Sequence, residues 1–210
     1  MVIDAECEKA NSNIEHIQRE IASILKSLTG TVFQLSTICD YVSEHIDIAK
    51  CSSTDFISTD NMLQNCQGII EYKGNPQIKN AIDYQPEDIL VSNIRPYLQK
   101  IWFADRQGGA SPDILVFRVK DKERYLPRYI FYNMRSQAFF DHMMSGRKGL
   151  KMPRGDKNVT MRYQIIIPAL EIQTAIVKQI QELERQIIVA KQTICAATSH
   201  KKAILDKYLQ

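Results

Sequence analysis

Two apolar seams with heptad spacing, one at each end of the chain, constrain the fold most. The first recurs in alternating steps of four and three residues, through Ile3, Cys7, Ala10, Ile14, Ile17, Ile21, Ile24 and Leu28. The second follows Pro168 and runs through Ile176, Ile180, Leu183, Ile187, Ala190, Ile194, Ala197, Lys201, Ile204 and Tyr208. A narrow stripe of this period is typical of helices that pair along one seam. We therefore expect long helices over residues 1–30 and 169–210.

The two expected helices bracket a single central segment, so they can run antiparallel and pair within one chain as a coiled coil. They could also pair between two chains, or each could pack on its own domain. The residues expected to hold the helices together are Ile14, Ile17, Ile21, Ile24, Leu28, Ile176, Ile180, Leu183, Ile187, Ile194 and Ile204. Lys201 interrupts the second seam, and a polar residue in such a position can fix the register of the pair.

The central segment, residues 31–168, has the mixed pattern of an α+β domain. Short apolar runs predict strands over Gln67–Tyr72, Asp88–Asn93, Lys100–Ala104, Asp113–Val119 and Tyr163–Ile167. Pro127–Met144 is expected to be helical, and residues 145–158 are expected to form a long loop. Gly74-Asn75-Pro76 and Arg106-Gln107-Gly108-Gly109 are expected to be turns between strands. The sequence thus predicts a mixed globular domain flanked by two long helices.

The positive charge of the chain is concentrated in one stretch. Residues 93–168 contain 15 basic and 6 acidic residues, whereas residues 31–92 contain 3 basic and 9 acidic residues. Such a block favours a polyanion as partner, because each Lys or Arg placed on a phosphate releases counterions. A basic but merely solvated surface is the alternative.

The expected loop at 145–158 is the best candidate for contact with nucleic acid. It contains three glycines, which let backbone N–H groups approach phosphates, and Arg can read guanine while Asn can pair with adenine. Its candidate DNA-binding residues are Arg147, Lys148, Lys151, Arg154, Lys157 and Asn158. Arg95, Tyr97 and Lys100 are further candidates. The alternatives are a mobile solvated loop and a turn that Pro96 and Tyr97 merely shape.

Motifs of catalysis and metal binding are weak or missing. The sequence has no Gly-x-Gly and no Asn/Asp-Pro-Pro-aromatic motif, so a methyltransferase active site is not expected. Glu71-Tyr72-Lys73, with Asp55 and Asp60 upstream, fits a short nuclease pattern that arises by chance in many chains. The four histidines are far apart, and the five scattered cysteines favour a reducing cytoplasm over disulfides or zinc. We expect no catalytic residue, metal or cofactor in this chain, and no membrane span.

Five stretches of the chain resemble the specificity subunits of type I restriction–modification systems. They are Asp55–Met62, Glu87–Lys100, Ser111–Phe117, Gly149–Gly155 and Ile167–Ile176, the last of which is similar to the family's junction between a strand and a long helix. Together they extend from about residue 31 to the end of the chain. Their order and spacing carry the resemblance, because no single stretch is decisive.

The resemblance implies a target recognition domain over residues 31–168 and conserved helices over 1–30 and 169–210. It implies a protein that reads one part of a split double-stranded DNA site and directs a methyltransferase subunit to it. That partner would use S-adenosylmethionine to methylate adenine. A restriction subunit and a second copy of the chain stay open as further partners. The chain has about half the length of a full specificity subunit, which has two recognition domains.

Two other functions remain open at this stage. One is a metal-dependent nuclease that uses Glu71 and Lys73. The other is a coiled-coil interaction protein that does not read DNA and has no salt-sensitive affinity for it.

Overall fold

The computed structural model describes residues 2–149 and 151–208, and it describes side chains from residue 4 to residue 201 apart from Leu150. The chain divides into two compact units, one of residues 1–28 with 174–210 and the other of residues 29–173. Within the described ranges, no helix is long and apolar enough to cross a membrane.

The first unit consists of the two terminal helices, α1 (Val2–Lys26) and α6 (Leu170–Tyr208), of which α6 begins in the second unit. Some of the seam residues are buried: Ile17 is 2% exposed, Ile180 is fully buried, and Leu183 is 8% exposed. Other residues of the two seams are half-buried, namely Ile14, Ile21, Ile24, Ile187 and Ile194. Lys201, near the end of α6, pairs with Asp4, near the beginning of α1, with 2.5 Å between Nζ and Oδ1. The contact joins the end of α6 to the beginning of α1, so the two helices run in opposite directions within one chain.

Two residues of the predicted seams need separate mention. Leu28 was expected on the first helix, but α1 ends at Lys26, where the hydroxyl of Ser27 donates to the carbonyl of Ile24. The next residues turn toward a strand, and a Cβ on Gly30 would lie 2.6 Å from the carbonyl oxygen of Ile167. Leu28 is therefore half-buried beyond the helix end, and the side chain of Ile204 lies outside the described residues.

The second unit is built on three antiparallel-dominated sheets. Its strands are β1 (Thr31–Gln34), β2 (Cys39–Tyr41), β3 (His45–Asp47), β4 (Phe56–Ile57), β5 (Asn80–Tyr84), β6 (Ile89–Ser92), β7 (Ile101–Phe103), β8 (Gly108–Ala110), β9 (Ile114–Val119) and β10 (Gln164–Ile167). The sheet orders are β1-β10, β2-β9-β6-β7 and β3-β5-β8-β4, and among the strands of the described residues only the pair β4–β8 is parallel.

The two four-stranded sheets share one apolar core. Leu90 and Trp102 from one sheet pack in the same cluster as Ile57, Tyr84 and Ala110 from the other. The ring of Trp102 meets that of Tyr84 edge-on, with 5.6 Å between centroids. This burial, which is the main favourable term in folding, fixes the ends of β6 and β9, where the candidate site lies.

Short helices complete the second unit: α2 (Leu35–Ile38), α3 (Pro127–Met134), α4 (Gln137–Ser145) and α5 (Lys157–Thr160), with single 3₁₀ turns at Ile48–Lys50 and Pro96–Leu98. The predicted helix Pro127–Met144 is thus two helices. Ser136 explains the break, because its hydroxyl donates to the carbonyl of Asn133 and accepts from the N–H of Phe139. A serine that satisfies backbone groups in this way starts a new helix.

The strands predicted near Ile89, Ile101, Ile114 and Gln164 are confirmed, but Gln67–Tyr72 is not a strand. Asn65, Cys66 and Gly68 have positive φ angles there, which interrupts extended pairing. The side-chain amide of Asn61 donates to the carbonyls of Phe56 and Ile70 and organises the segment as a loop.

Gly108–Ala110 is a strand that was not predicted, because its two glycines are typical of a turn. It nevertheless forms an inner strand of its sheet. β8 lies between β5 and β4, and a Cβ at Gly108 would lie 2.2 Å from the carbonyl oxygen of Asp55. Glycine is required at this position because another backbone passes too close for any side chain.

Asp88 provides a test of the second unit's stability. Its carboxylate is 3% exposed and accepts two hydrogen bonds from Arg118, at 2.9 and 2.7 Å, and a third from the N–H of Gln85. Because Arg118→Met leaves a buried charge without its partner, we expect it to lower the free energy of unfolding by about 3 kcal/mol. Urea titration followed by fluorescence of Trp102, the single tryptophan, measures this unit.

The matched control for that variant is Lys122→Met. Lys122 pairs with Glu87 at 2.7 Å, but both side chains are about half exposed, so the loss should stay within about 1 kcal/mol. Equal effects of the two substitutions would contradict a special role for the buried pair.

Candidate nucleic-acid interface

The first predicted DNA-binding segment, Arg95–Lys100, is a tightly held turn after β6. Arg95 and Gln99 both have left-handed φ angles, 50° and 51°, on either side of the turn Pro96–Leu98. The N–H groups of Asn65 and Cys66 donate to the carbonyls of Leu98 and Gln99, at 3.0 and 2.9 Å. A non-glycine residue in this conformation is unfavourable and persists only where its surroundings impose it.

The second predicted segment was a loop over residues 145–158, but Ser145 belongs to α4 and Lys157 and Asn158 begin α5, because Asp156 caps that helix. The loop that joins the two helices, residues 146–156, is called the basic loop; Leu150 within it lies outside the described residues. Its two arms pair through the backbone: the N–H of Lys148 donates to the carbonyl of Arg154, and the reverse bond is also formed, both at 2.9 Å. Gly149, with φ of 83°, begins the turn between the arms. The basic loop therefore has a defined hairpin-like backbone and is not simply solvated.

The structure brings these two segments together. Ile94 pairs with Arg154 as an isolated antiparallel bridge, the N–H of Arg95 donates to the carbonyl of Pro153 at 2.8 Å, and the N–H of Gly155 donates to the carbonyl of Asn93 at 3.2 Å. Candidates more than 50 positions apart in the sequence thus share one surface. We call the surface formed by residues 93–99 and 146–158 the basic face.

A close approach between backbones makes this junction possible. A Cβ on Gly155 would lie 3.0 Å from Oδ1 of Asn93 and 3.1 Å from Cε of Met143. That Oδ1 atom is buried without a hydrogen-bond partner among the described residues. The junction opens into a cavity of about 620 Å³, lined by Asn93 and by eight residues between 148 and 158.

Two of the candidate basic side chains carry an acidic partner. Nη2 of Arg154 lies 2.8 Å from Oδ1 of Asp113, and Nζ of Lys148 lies 2.6 Å from Oδ2 of Asp156. The hydrogen bond from Lys148, and then that from the N–H of Val159, hold the pKa of Asp156 below its usual value. Asp156 also caps α5, because its carboxylate accepts from the N–H groups of Asn158 and Val159.

Two other candidates contact the protein itself. Nζ of Lys100 donates to the carbonyl of Thr59 at 2.6 Å, and Lys100 is half-buried, so its amine faces the chain. Nζ of Lys157 lies 5.6 Å from the centre of the Tyr41 ring, and the Tyr41 hydroxyl donates to the carbonyl of Lys157. Burial raises the pKa of Tyr41, so the phenol keeps its proton for this bond.

The remaining candidates are open to a ligand. Arg95, Arg147, Lys151 and Asn158 are exposed, and the side chain of Arg147 makes only one long bond, 3.3 Å, to the carbonyl of Met144. Tyr97 is 51% exposed. Together these residues present cations, an amide and an aromatic ring, which is the set of groups that contacts phosphates and base edges in DNA.

Sequence reasoning missed the acidic partners and the junction. Nothing along the sequence links Asp113 to Arg154, which lies 41 positions later, or Asn93 to Gly155. The role of Asp156 had a local signal, because an Asp just before a short helical segment is a typical N-cap.

The residues of the alternative nuclease pattern lie on a loop. The carboxylate of Glu71 accepts a hydrogen bond from the hydroxyl of Ser53 at 2.6 Å. Within residues 2–149 and 151–208, no three His, Cys, Asp or Glu side chains are grouped so that they could hold a metal ion.

The left-handed conformation of Arg95 generates a prediction. Arg95→Gly and Arg95→Ala both remove the guanidinium, but only glycine adopts a φ of 50° without steric cost. We expect the Gly variant to be more stable than the Ala variant by about 0.5–1 kcal/mol, in urea titration monitored at Trp102. Both should bind DNA equally weakly. Equal stability of the two variants would show that this backbone carries no strain.

Comparison with known proteins identifies solved structures that have a similar fold. No family model matches the chain, and no curated protein does. Among solved structures, an HsdS subunit from Thermoanaerobacter tengcongensis is similar at 15% identity with a TM-score of 0.61, over 98% of this chain and 53% of its own. An S subunit of a type I restriction–modification system from M. genitalium is similar at 11% identity with a TM-score of 0.60, over 98% and 57%.

A third structure, described as showing complex assembly and conformational transition of the type I R-M system, matches at 14% identity with a TM-score of 0.66, over 98% of this chain and 54% of its own. At these identities the likeness concerns the fold, and it confirms the fold expected from the sequence resemblance. The chain therefore has the fold of type I restriction–modification specificity subunits, over about half the length of those it matches.

Proposed function

We propose that this chain is a DNA sequence-specificity subunit or half-subunit, which binds a short double-stranded target and directs an adenine methyltransferase to it. The chain itself contributes no catalytic group. S-adenosylmethionine belongs to the partner. The second unit reads the DNA with its basic face, and the helices α1 and α6 hold the methyltransferase.

One observation carries the DNA-binding part of the proposal. The backbone junction of Asn93–Arg95 with Pro153–Gly155 joins the turn that carries Arg95 and the basic loop into one surface, on a fold shared with specificity subunits. On this surface exposed cations supply affinity for phosphates, while side chains on fixed backbone, such as Arg95 and Arg154, supply sequence discrimination.

The methyltransferase part rests on the first unit. The exposed side of α6 carries two adjacent apolar residues, Ile188 and Val189, which are 55% and 60% exposed. Apolar side chains that a helix pair leaves uncovered are suited to a protein partner. A similar structure is described as one of type I R-M complex assembly, which agrees with such a partner.

A restriction subunit and a second copy of the chain are further partners within the proposal. The chain has the fold of about half of the matched subunits, so two copies would present two recognition domains. Because a two-fold pair reads a two-fold sequence, such a dimer would direct the methyltransferase to a symmetric split site.

Salt dependence tests the DNA-binding part. Each phosphate neutralised by a Lys or Arg contributes about −0.9 to the slope of log affinity against log salt concentration. We expect Lys151→Ala to weaken binding to duplexes of any sequence and to make the slope shallower by about 1, as measured by fluorescence anisotropy at several salt concentrations.

The control for that variant is Lys79→Ala, which removes an exposed lysine from the acidic part of the same unit. It should leave both affinity and slope unchanged. If the two variants behave alike, the basic face is not the DNA-binding surface.

Methylation sequencing tests the function as a whole. The chain is combined with the methyltransferase encoded beside it, and methylated adenines are mapped in DNA exposed to the complex. We expect methylation at one short or split motif that disappears without the chain. Ile188→Asp should abolish methylation without changing DNA affinity, because it places a charge in the proposed protein contact.

Gln179→Asp is the matched control, because it adds the same charge at an exposed position of α6 that lies on the opposite face from Ile188, about two and a half turns away. It should preserve the methylation motif. Methylation at random positions in the presence of the chain would contradict the proposal, and DNA cutting by the chain alone with magnesium would point to the nuclease alternative.

A further inference from the structure

Arg154 differs from the other basic residues of the basic loop because its backbone is fixed on both sides. One side pairs with Lys148 through two hydrogen bonds of 2.9 Å, and the other side pairs with Ile94 at the end of β6. Its side chain nevertheless remains 58% exposed. The backbone of Arg154 is therefore fixed, while its side chain remains accessible to a ligand.

Asp113 fixes the other end of the same side chain. It precedes β9, and its backbone carbonyl accepts from the N–H of Asn93 at 2.8 Å. The carbonyl of Asn93 in turn accepts from the N–H of Gly155. The backbones of Arg154 and Asp113 are thus both bonded to the residues that follow β6. The side chain of Arg154 is therefore constrained at its backbone and again by the contact of its guanidinium with Asp113.

The contact with Asp113 involves Nη2 of Arg154. A guanidinium has five N–H donors in a rigid plane, so one contact leaves four for a ligand and places one edge of the group beside Asp113. The acceptor pair that this fork matches in the major groove is O6 and N7 of guanine.

The pair of Lys148 with Asp156 is a useful contrast. An ammonium group is a point charge with rotatable donors, and the side chain of Lys148 is 79% exposed. Asp156 therefore lowers the local positive charge without orienting anything toward a base.

We propose that Asp113 is a positioning residue, which holds the guanidinium of Arg154 in the orientation that reads a guanine in the major groove. The inference rests on the proposed function and adds to it a residue that sets specificity without touching DNA. Asp113 also keeps Arg154 from moving to an arbitrary phosphate, because such a move would break the ion pair.

Three possible roles of Asp113 predict different changes in DNA affinity when it is replaced by asparagine. If it positions Arg154, Asp113→Asn weakens binding to the target and strengthens binding to random duplexes. If it only reduces positive charge, both affinities rise. If it only clamps the fold, both affinities fall together with the melting temperature.

The experiment selects target sequences for the 210-residue chain from duplexes with a randomised core and reads the enriched pool by sequencing. Affinities for the enriched duplex and for a random pool are then measured by anisotropy. We expect Asp113→Asn to lose about 5–10-fold on the enriched duplex, in keeping with the share that one oriented base contact contributes. On the random pool it should gain up to about 5-fold, as expected when an exposed ion pair is released.

Two further variants keep the test independent of folding. Arg154→Lys retains the charge and an ion pair with Asp113 but lacks the planar fork, so the preference for guanine at one position should vanish while affinity for the random pool stays unchanged. Asp113→Glu restores a carboxylate and should recover part of the preference. In an Arg154→Ala background, Asp113→Asn should no longer weaken binding to the enriched duplex.

Asp156→Asn is the matched control, because asparagine still caps α5 while the charge opposite Lys148 is removed. It should strengthen binding to both kinds of duplex by the same factor and leave the sequence preference intact.

The outcomes separate the inference from the function on which it rests. A wild-type chain that enriches no sequence overturns the proposed function. A wild-type chain that enriches a motif, together with an Arg154→Lys or Asp113→Asn variant that enriches the same motif with undiminished guanine preference, overturns the role of Asp113 alone.

Discussion

The backbone junction between the end of β6 and the basic loop is the constraint on which the candidate site depends. Ile94 pairs with Arg154, and Asn93 accepts from Gly155, at a distance that leaves no room for a Cβ on Gly155 without movement of Asn93 or Met143. Without these backbone contacts the basic loop would not be joined to the residues that follow β6, and Arg95 would lie on a different surface. The carboxyl-terminal end of a buried strand is a rigid support, which suits a surface that must hold side chains in fixed positions.

Charge on this surface is distributed in two ways. Some cations, among them Arg147 and Lys151, are exposed without a carboxylate opposite them among the described residues, whereas Arg154 and Lys148 are each opposed by a carboxylate. A uniformly positive surface would bind any duplex, since the phosphate backbone carries no sequence information. Acidic partners reduce that general attraction and, where the cation is an arginine, also give it a direction. Under the proposed function, some cations of residues 93–168 therefore supply affinity for DNA, and others are oriented by acidic partners.

The elements that sequence reasoning located are those with a long or regular apolar pattern. The helices α1 and α6 follow from heptad spacing sustained over several turns, and β6, β7 and β9 follow from short runs of buried aliphatic residues. The failures occurred where a single side chain overrode the local pattern. Ser136 divides one expected helix, Asn61 holds Gln67–Tyr72 as a loop, and Gly108 lies in a strand because a neighbouring backbone excludes a side chain. Asn61 bridges Phe56 and Ile70, and Gly108 meets the backbone of Asp55, whereas Ser136 acts locally on Asn133 and Phe139.

By itself the sequence determined the long terminal helices, the mixed class of the central segment and the basic composition of residues 93–168, because periodicity and charge are local properties of a chain. Tertiary structure alone decided which of the basic residues are exposed and which contact the protein itself. It turned the amine of Lys100 toward Thr59, placed Asp113 against Arg154 and joined Arg95 to Pro153. These contacts link positions about 40 to 60 apart, and their geometry follows from how the strands pack rather than from any pattern within one segment.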